Sequence, residues 1–145
     1  MTDHDDILEQ AALPRLGLSP GVLVAIGLGG ALGTVARFLL SSAFSDSARQ
    51  FPTTTLLINL SGSLAIGLLV PLVENLAARV PLLRPFVIVG LLGGWTTYSA
   101  LAVDAVTLAQ HRHGWLGLLS VALTLGGGLA LVLGGNSLGT RLVTR

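Results

Sequence analysis

The chain reads as an all-α membrane protein with four transmembrane helices, and three observations lead there. It is 52% hydrophobic and only 10% charged, with a mean hydropathy of +0.81, where a water-soluble domain carries roughly 25% charged residues. Most of its charges lie outside four apolar runs, each long enough to cross a bilayer at ~1.5 Å per residue. The third run is interrupted by Gly90, Gly93 and Gly94, then by Thr96 and Thr97, a poor recipe for a continuous helix. At membrane depth such a break is tolerated only where protein or a watery cavity surrounds it. Freed carbonyls can then coordinate a cation while nearby hydroxyls line a path; the plainer alternative is a glycine-rich helix contact.

Residues 1–20, with Asp3, Asp5, Asp6 and Glu9, are acidic where a secretory signal would be basic, and are read as a cytoplasmic tail. The membrane domain covers 21–138, and 139–145 form a short C-terminal tail. Span one runs from Gly21 to about Phe44, with Pro20 suited to a helix start and Gly29 and Gly33 forming a GxxxG pair that admits a second helix closely. Span two follows Phe51-Pro52 and continues to about Leu72. Span three covers Val87 to Leu108, and span four Gly114 to about Leu138. Four spans put both termini on one side. There is no cysteine, so no disulfide or thiolate chemistry arises. All eight basic residues are arginine and the net charge is +1, which leaves no electrostatic footprint for nucleic acid.

Several polar residues sit inside the spans. Arg37 reads either as a snorkelling anchor, as the wall of an anion vestibule, or as a partner for a carboxylate, with Asp104 the nearest by depth. Asn59, near the middle of span two, is either helix–helix glue or an N–H donor to a passing anion. Ser120 and Thr124 share a face with Gly128; such hydroxyls commonly bond back to the carbonyl four residues earlier. Trp115 and Phe51 read as interfacial anchors. His111 and His113 flank a loop with no third ligand in view. No nucleophile–base set or phosphate-binding loop is present, so an enzyme is not expected.

Three stretches in order carry a family resemblance. Span one has Gly29-Gly30-Ala31-Leu32-Gly33-Thr34-Val35-Ala36-Arg37-Phe38, span two Thr55-Leu56-Leu57-Ile58-Asn59-Leu60-Ser61-Gly62-Ser63, and span three Gly93-Gly94-Trp95-Thr96-Thr97-Tyr98-Ser99. They are similar to GGxxGAxxRY, TLxVNxxGS and GGxTTFS, and on them the chain resembles the Fluc/CrcB family of fluoride channels from about Gly27 to Leu138. The resemblance implies an antiparallel, dual-topology-type dimer in the cell membrane, with two anion paths and a structural sodium ion at the interface. It places the sodium on the main-chain carbonyls of Gly93 and Thr96, and the pore at Asn59, Thr97, Ser99, Ser120 and Thr124. The two pore aromatic positions fall at Tyr98 and Leu101, and Arg37 and Asp104 lie at the vestibules.

Leu101 carries no ring where the family pattern has phenylalanine. In a symmetric homodimer both paths would lose it. The arginines add a second sign: Arg15, Arg79, Arg84, Arg141 and Arg145 fall on the side of the termini, against Arg49 and Arg112 on the other. This bias orients the termini towards the cytoplasm. The expectation is therefore a fluoride-exporting subunit of fixed topology that needs an oppositely oriented family partner, with an antiparallel homodimer of dually inserted copies as the competing reading. The alternatives are a non-conducting subunit of such a pair, or a small multidrug antiporter, which would want a carboxylate in span one where this chain has only Arg37.

Overall fold

A computed structural model describes residues 19–44 and 50–144. The expected tail through residue 18, and with it Arg15, as well as Arg49 and Arg145, lie outside the described residues. The described chain is helical throughout, without strands. Helix α1 spans Pro20–Ala43, with Ser19 accepting from the Val22 N–H as N-cap and Pro20 in the first turn. Helix α2 spans Thr53–Ala77. The third span opens as a π-helix, Pro85–Leu92, passes through a single turn α3, Gly93–Trp95, and resumes as α4, Tyr98–Gln110. Helix α5 covers Gly114–Val143. All four spans are long and apolar enough to cross a membrane.

Span three, Pro85–Gln110, exceeds the expected Val87 to Leu108 by a couple of residues at either end, and spans two and four run further past expectation. Helix α2 continues beyond Leu72 to Ala77, so Pro71 is internal. A membrane helix tolerates this where a neighbour packs on the weakened turn, and Gly139 of α5 lies against Leu68 and Pro71. Helix α5 continues beyond Leu138 to Val143. Thr140 and Thr144 donate their hydroxyls to the Asn136 and Thr140 carbonyls, and Arg141 in the last turn suits the negative end of the helix dipole.

The spans pack as two pairs. Helix α2 lies along α5, and α1 lies along the π-helix and α3, while α4 leans on α5. Glycine makes both crossings. A β-carbon at Gly33 would overlap the Leu91 carbonyl oxygen, and one at Gly67 the Val132 carbonyl oxygen, so backbones meet where side chains would hold them apart. The GxxxG face of α1 is thus spent inside the subunit. Only 17–28% of the most apolar stretch of each span is buried within the subunit. The remainder must face lipid or further protein.

Candidate functional site

The helical ladder of the third span stops at Thr96, whose N–H donates to the Leu92 carbonyl. Thr96 and Thr97 are both extended, with φ −71°, ψ 154° and φ −146°, ψ 122°. Thr97 then serves as N-cap of α4, its hydroxyl accepting from the Ala100 N–H at 3.1 Å; that is the usual task of a threonine before a helix. Its backbone is held from across the subunit. Asn59 Nδ2 donates to the Thr97 carbonyl at 2.9 Å, and the Thr97 N–H donates to Asn59 Oδ1 at 2.8 Å.

A break of this kind strands carbonyls. The Thr97 N–H would ordinarily serve the Gly93 carbonyl and the Ala100 N–H that of Thr96, four residues back. Both donors are diverted to side chains, Asn59 Oδ1 and Thr97 Oγ1. The Gly94 carbonyl between them accepts from Arg37 Nε at 3.1 Å. The backbone of Gly93 and Thr96 is therefore left with acceptor capacity of the kind a hard cation uses.

Beside the break lies a cleft of about 370 Å³, lined by Asn59, Ser63, Thr96, Thr97, Tyr98, Leu101 and Thr124, with Ile66, Leu125, Leu129 and Val132 forming an apolar wall. No charged side chain lines it. On its α5 side stands Thr124, and one helical turn earlier, enclosed behind the wall, Ser120; Thr124 Oγ1 and Ser120 Oγ are buried and have no hydrogen-bond partner. The back-bond expected of a membrane-helix hydroxyl is absent at both. A buried polar atom left unpaired costs about 1–3 kcal/mol, so two on one face need a reason.

The other residues singled out from sequence fall as follows. Ser99 meets Thr97, hydroxyl to hydroxyl, at 3.2 Å, and does not line the cleft. Leu101 is 2% exposed while Tyr98 is 80% exposed, so of the two aromatic positions of the family pattern, both bordering the cleft, one is enclosed by its own subunit and the other is open. Arg37 and Asp104 do not pair. Arg37 caps the carbonyl end of α3, and Asp104 Oδ2 accepts from Thr55 Oγ1 at 2.6 Å. Among the described residues the ion pair formed is Arg84 with Glu74, at 3.8 Å on the surface. Sequence reasoning passed over Ser63 and Thr55. Ser63 follows Asn59 by one helical turn, a same-face signal that was available; Thr55 opens the second motif.

These features define a small multi-pass membrane protein with a charge-free polar cleft at a helix break. The chain belongs to the CrcB family: the family model described as "CrcB-like protein, Camphor Resistance (CrcB)" matches residues 24–136. It is 36% identical over 117 residues to the Fluoride-specific ion channel FluC of Rhizobium meliloti, covering 80% of this chain and 94% of that protein. It is 39% identical over 118 residues to the protein of the same name in Chlorobium luteolum, covering 79% and 90%. With Fluoride-specific ion channel FluC 3 of Streptomyces avermitilis it shares 37% over 131 residues, covering 90% of this chain and 64% of that relative.

Proposed function

We propose that this chain is a subunit of a fluoride channel that lowers cytoplasmic fluoride by passive efflux. The observation that carries the reading is the pair of buried, unpartnered hydroxyls on one face of α5, Thr124 on the wall of a cleft without charge and Ser120 one turn away behind it. Fluoride is small and tightly hydrated, so a dry path must replace its water with directed donors. A hydroxyl lacking a protein acceptor is free to turn its hydrogen towards an anion. Asn59 contributes less freely, since one amide hydrogen is committed to Thr97 and only the second can face the cleft. An uncharged lining lets the ion leave as readily as it enters. The relatives named as fluoride-specific channels support the same ion. Nothing in this account requires an enzyme.

Sodium fits the break. The Gly93 and Thr96 carbonyls have lost their helical donors to Asn59 and Thr97, and they are the groups that would hold the ion. Bound there, it would supply a fixed positive charge that favours a nearby anion. Arg37 keeps the intervening Gly94 carbonyl occupied.

The working unit on this reading is an antiparallel dimer. Support comes from Tyr98, which at 80% exposure is left largely uncovered by its own subunit, and from the low burial of every span. Leu101, buried and without a ring, supports an oppositely oriented family partner that supplies the missing aromatic residues. The termini lie in the cytoplasm, as the arginine distribution favours. Expression in cells stripped of their own fluoride export tests the function: growth in fluoride should be restored, by this chain with its companion subunit if not alone. Cells that remain fluoride-sensitive with both subunits inserted in the membrane would contradict it.

A further inference from the structure

Of the two stranded carbonyls, that of Gly93 opens the last turn of the helical ladder, Gly93–Trp95, and that of Thr96 stands just past its end, where the backbone is extended. Gly93 has open space where a β-carbon would stand, so side-chain packing does not fix its peptide. The turn packs its backbone on α1, where β-carbons at Gly94 and Gly33 would run into the Gly30 carbonyl oxygen and the Trp95 backbone nitrogen, and it is tied on its other side to one stretch of α2. Trp95 Nε1 donates to Ser61 Oγ at 3.0 Å, and Ser61 Oγ in turn donates to the Ile58 carbonyl at 3.0 Å. Gly62 is bare beneath the next residue: a β-carbon there would overlap Thr96 Cγ2 and lie 3.0 Å from Trp95 Cδ1. Asn59 holds Thr97. Ser61, Gly62 and Asn59 thus seat Trp95, Thr96 and Thr97 respectively.

We propose that Trp95, through its indole bond to Ser61, is a positioning residue for the cation site: it fixes the directions of the Gly93 and Thr96 carbonyls. Asn59 restrains the break from the α4 side and Arg37 holds the Gly94 carbonyl. The indole is the restraint between them, on the residue that separates Gly94 from Thr96. Phenylalanine would fill much the same space without the N–H. This inference rests on the sodium reading given above.

The test is thermal unfolding of the purified, detergent-solubilised protein across a sodium titration, with potassium keeping ionic strength constant. Removing a residue that orients a metal's ligands typically changes the metal affinity by about 10- to 100-fold. Trp95→Phe and Ser61→Ala should each move the sodium midpoint upward by about tenfold, and the double variant should move it no further than either single one. Ser61→Thr, which keeps the hydroxyl, should titrate like the parent. If Trp95→Phe does not fold, the Ser61→Ala and Ser61→Thr pair decides. A normal parent curve with unshifted variants, or additive shifts in the double variant, overturns the inference alone. A parent curve flat in sodium removes the sodium reading and this inference with it.

Discussion

Asn59 and Thr97, on different helices and 38 residues apart in sequence, exchange two hydrogen bonds through one side-chain amide, at 2.9 and 2.8 Å. The amide takes the place of a helical neighbour for a residue that has left the helix. It also ties the two helix pairs of the subunit together at the level of the cleft. Of the two readings of Asn59 offered by the sequence, these bonds are the helix–helix contact; an anion donor would have to use the second amide hydrogen.

Asn59→Asp should therefore fail in two ways. The carboxylate faces the Thr97 carbonyl with no hydrogen to give, and a buried group left unsatisfied costs about 1–3 kcal/mol. Thermal unfolding should show that loss, and fluoride flux in vesicles should disappear. Parental stability together with parental flux would show that the amide hydrogens of Asn59 do not matter.

At Ser120 and Thr124 stability and flux should part company. Their hydroxyls have no partner, so Ser120→Ala and Thr124→Val should leave unfolding unchanged or raise its midpoint. Flux should fall about tenfold for each, the factor matching one lost hydrogen bond of about 1.4 kcal/mol. Loss of stability without loss of flux would make the hydroxyls structural.

Thr97→Val removes the cap on Ala100 and should cost about 1 kcal/mol, whereas Thr97→Ser should cost much less. Equal losses in the two variants, read by thermal unfolding, would mean that the hydroxyl is not what starts α4.

Leu101 tests the partner. Leu101→Phe places a ring at a 2%-exposed site that borders a cleft of about 370 Å³, so the overpacking cost should stay near the low end of about 1–3 kcal/mol. The variant reconstituted alone should pass fluoride faster than the parent alone. Identical fluxes would remove the missing ring as the reason for a second subunit.

Much of this was legible in the residues, and the reasons differ by residue. The four spans follow from the scarcity of charge, because hydrocarbon imposes length and composition together. The weak point of the third span follows from Gly93, Gly94, Thr96 and Thr97, each a poor helix former. The partners were hidden because they are set by how helices face each other. No spacing rule brings Arg37 to the Gly94 carbonyl and away from Asp104, or gives Asp104 to Thr55. The unpaired state of Ser120 was hidden too, since the same hydroxyl in another helix bonds to its own backbone. The π-helix at Pro85–Leu92 has no marker in the sequence beyond the proline that opens it.

The most direct test of the central claim is efflux from liposomes loaded with fluoride or with chloride, holding this chain alone or together with the oppositely oriented family partner proposed for it. Fluoride should leave rapidly once the membrane potential is shunted, chloride should be retained, and Thr124→Val should slow the fluoride trace without opening the chloride one. Comparable release of both anions, or no fluoride release from any assembly that contains this chain, would contradict the account.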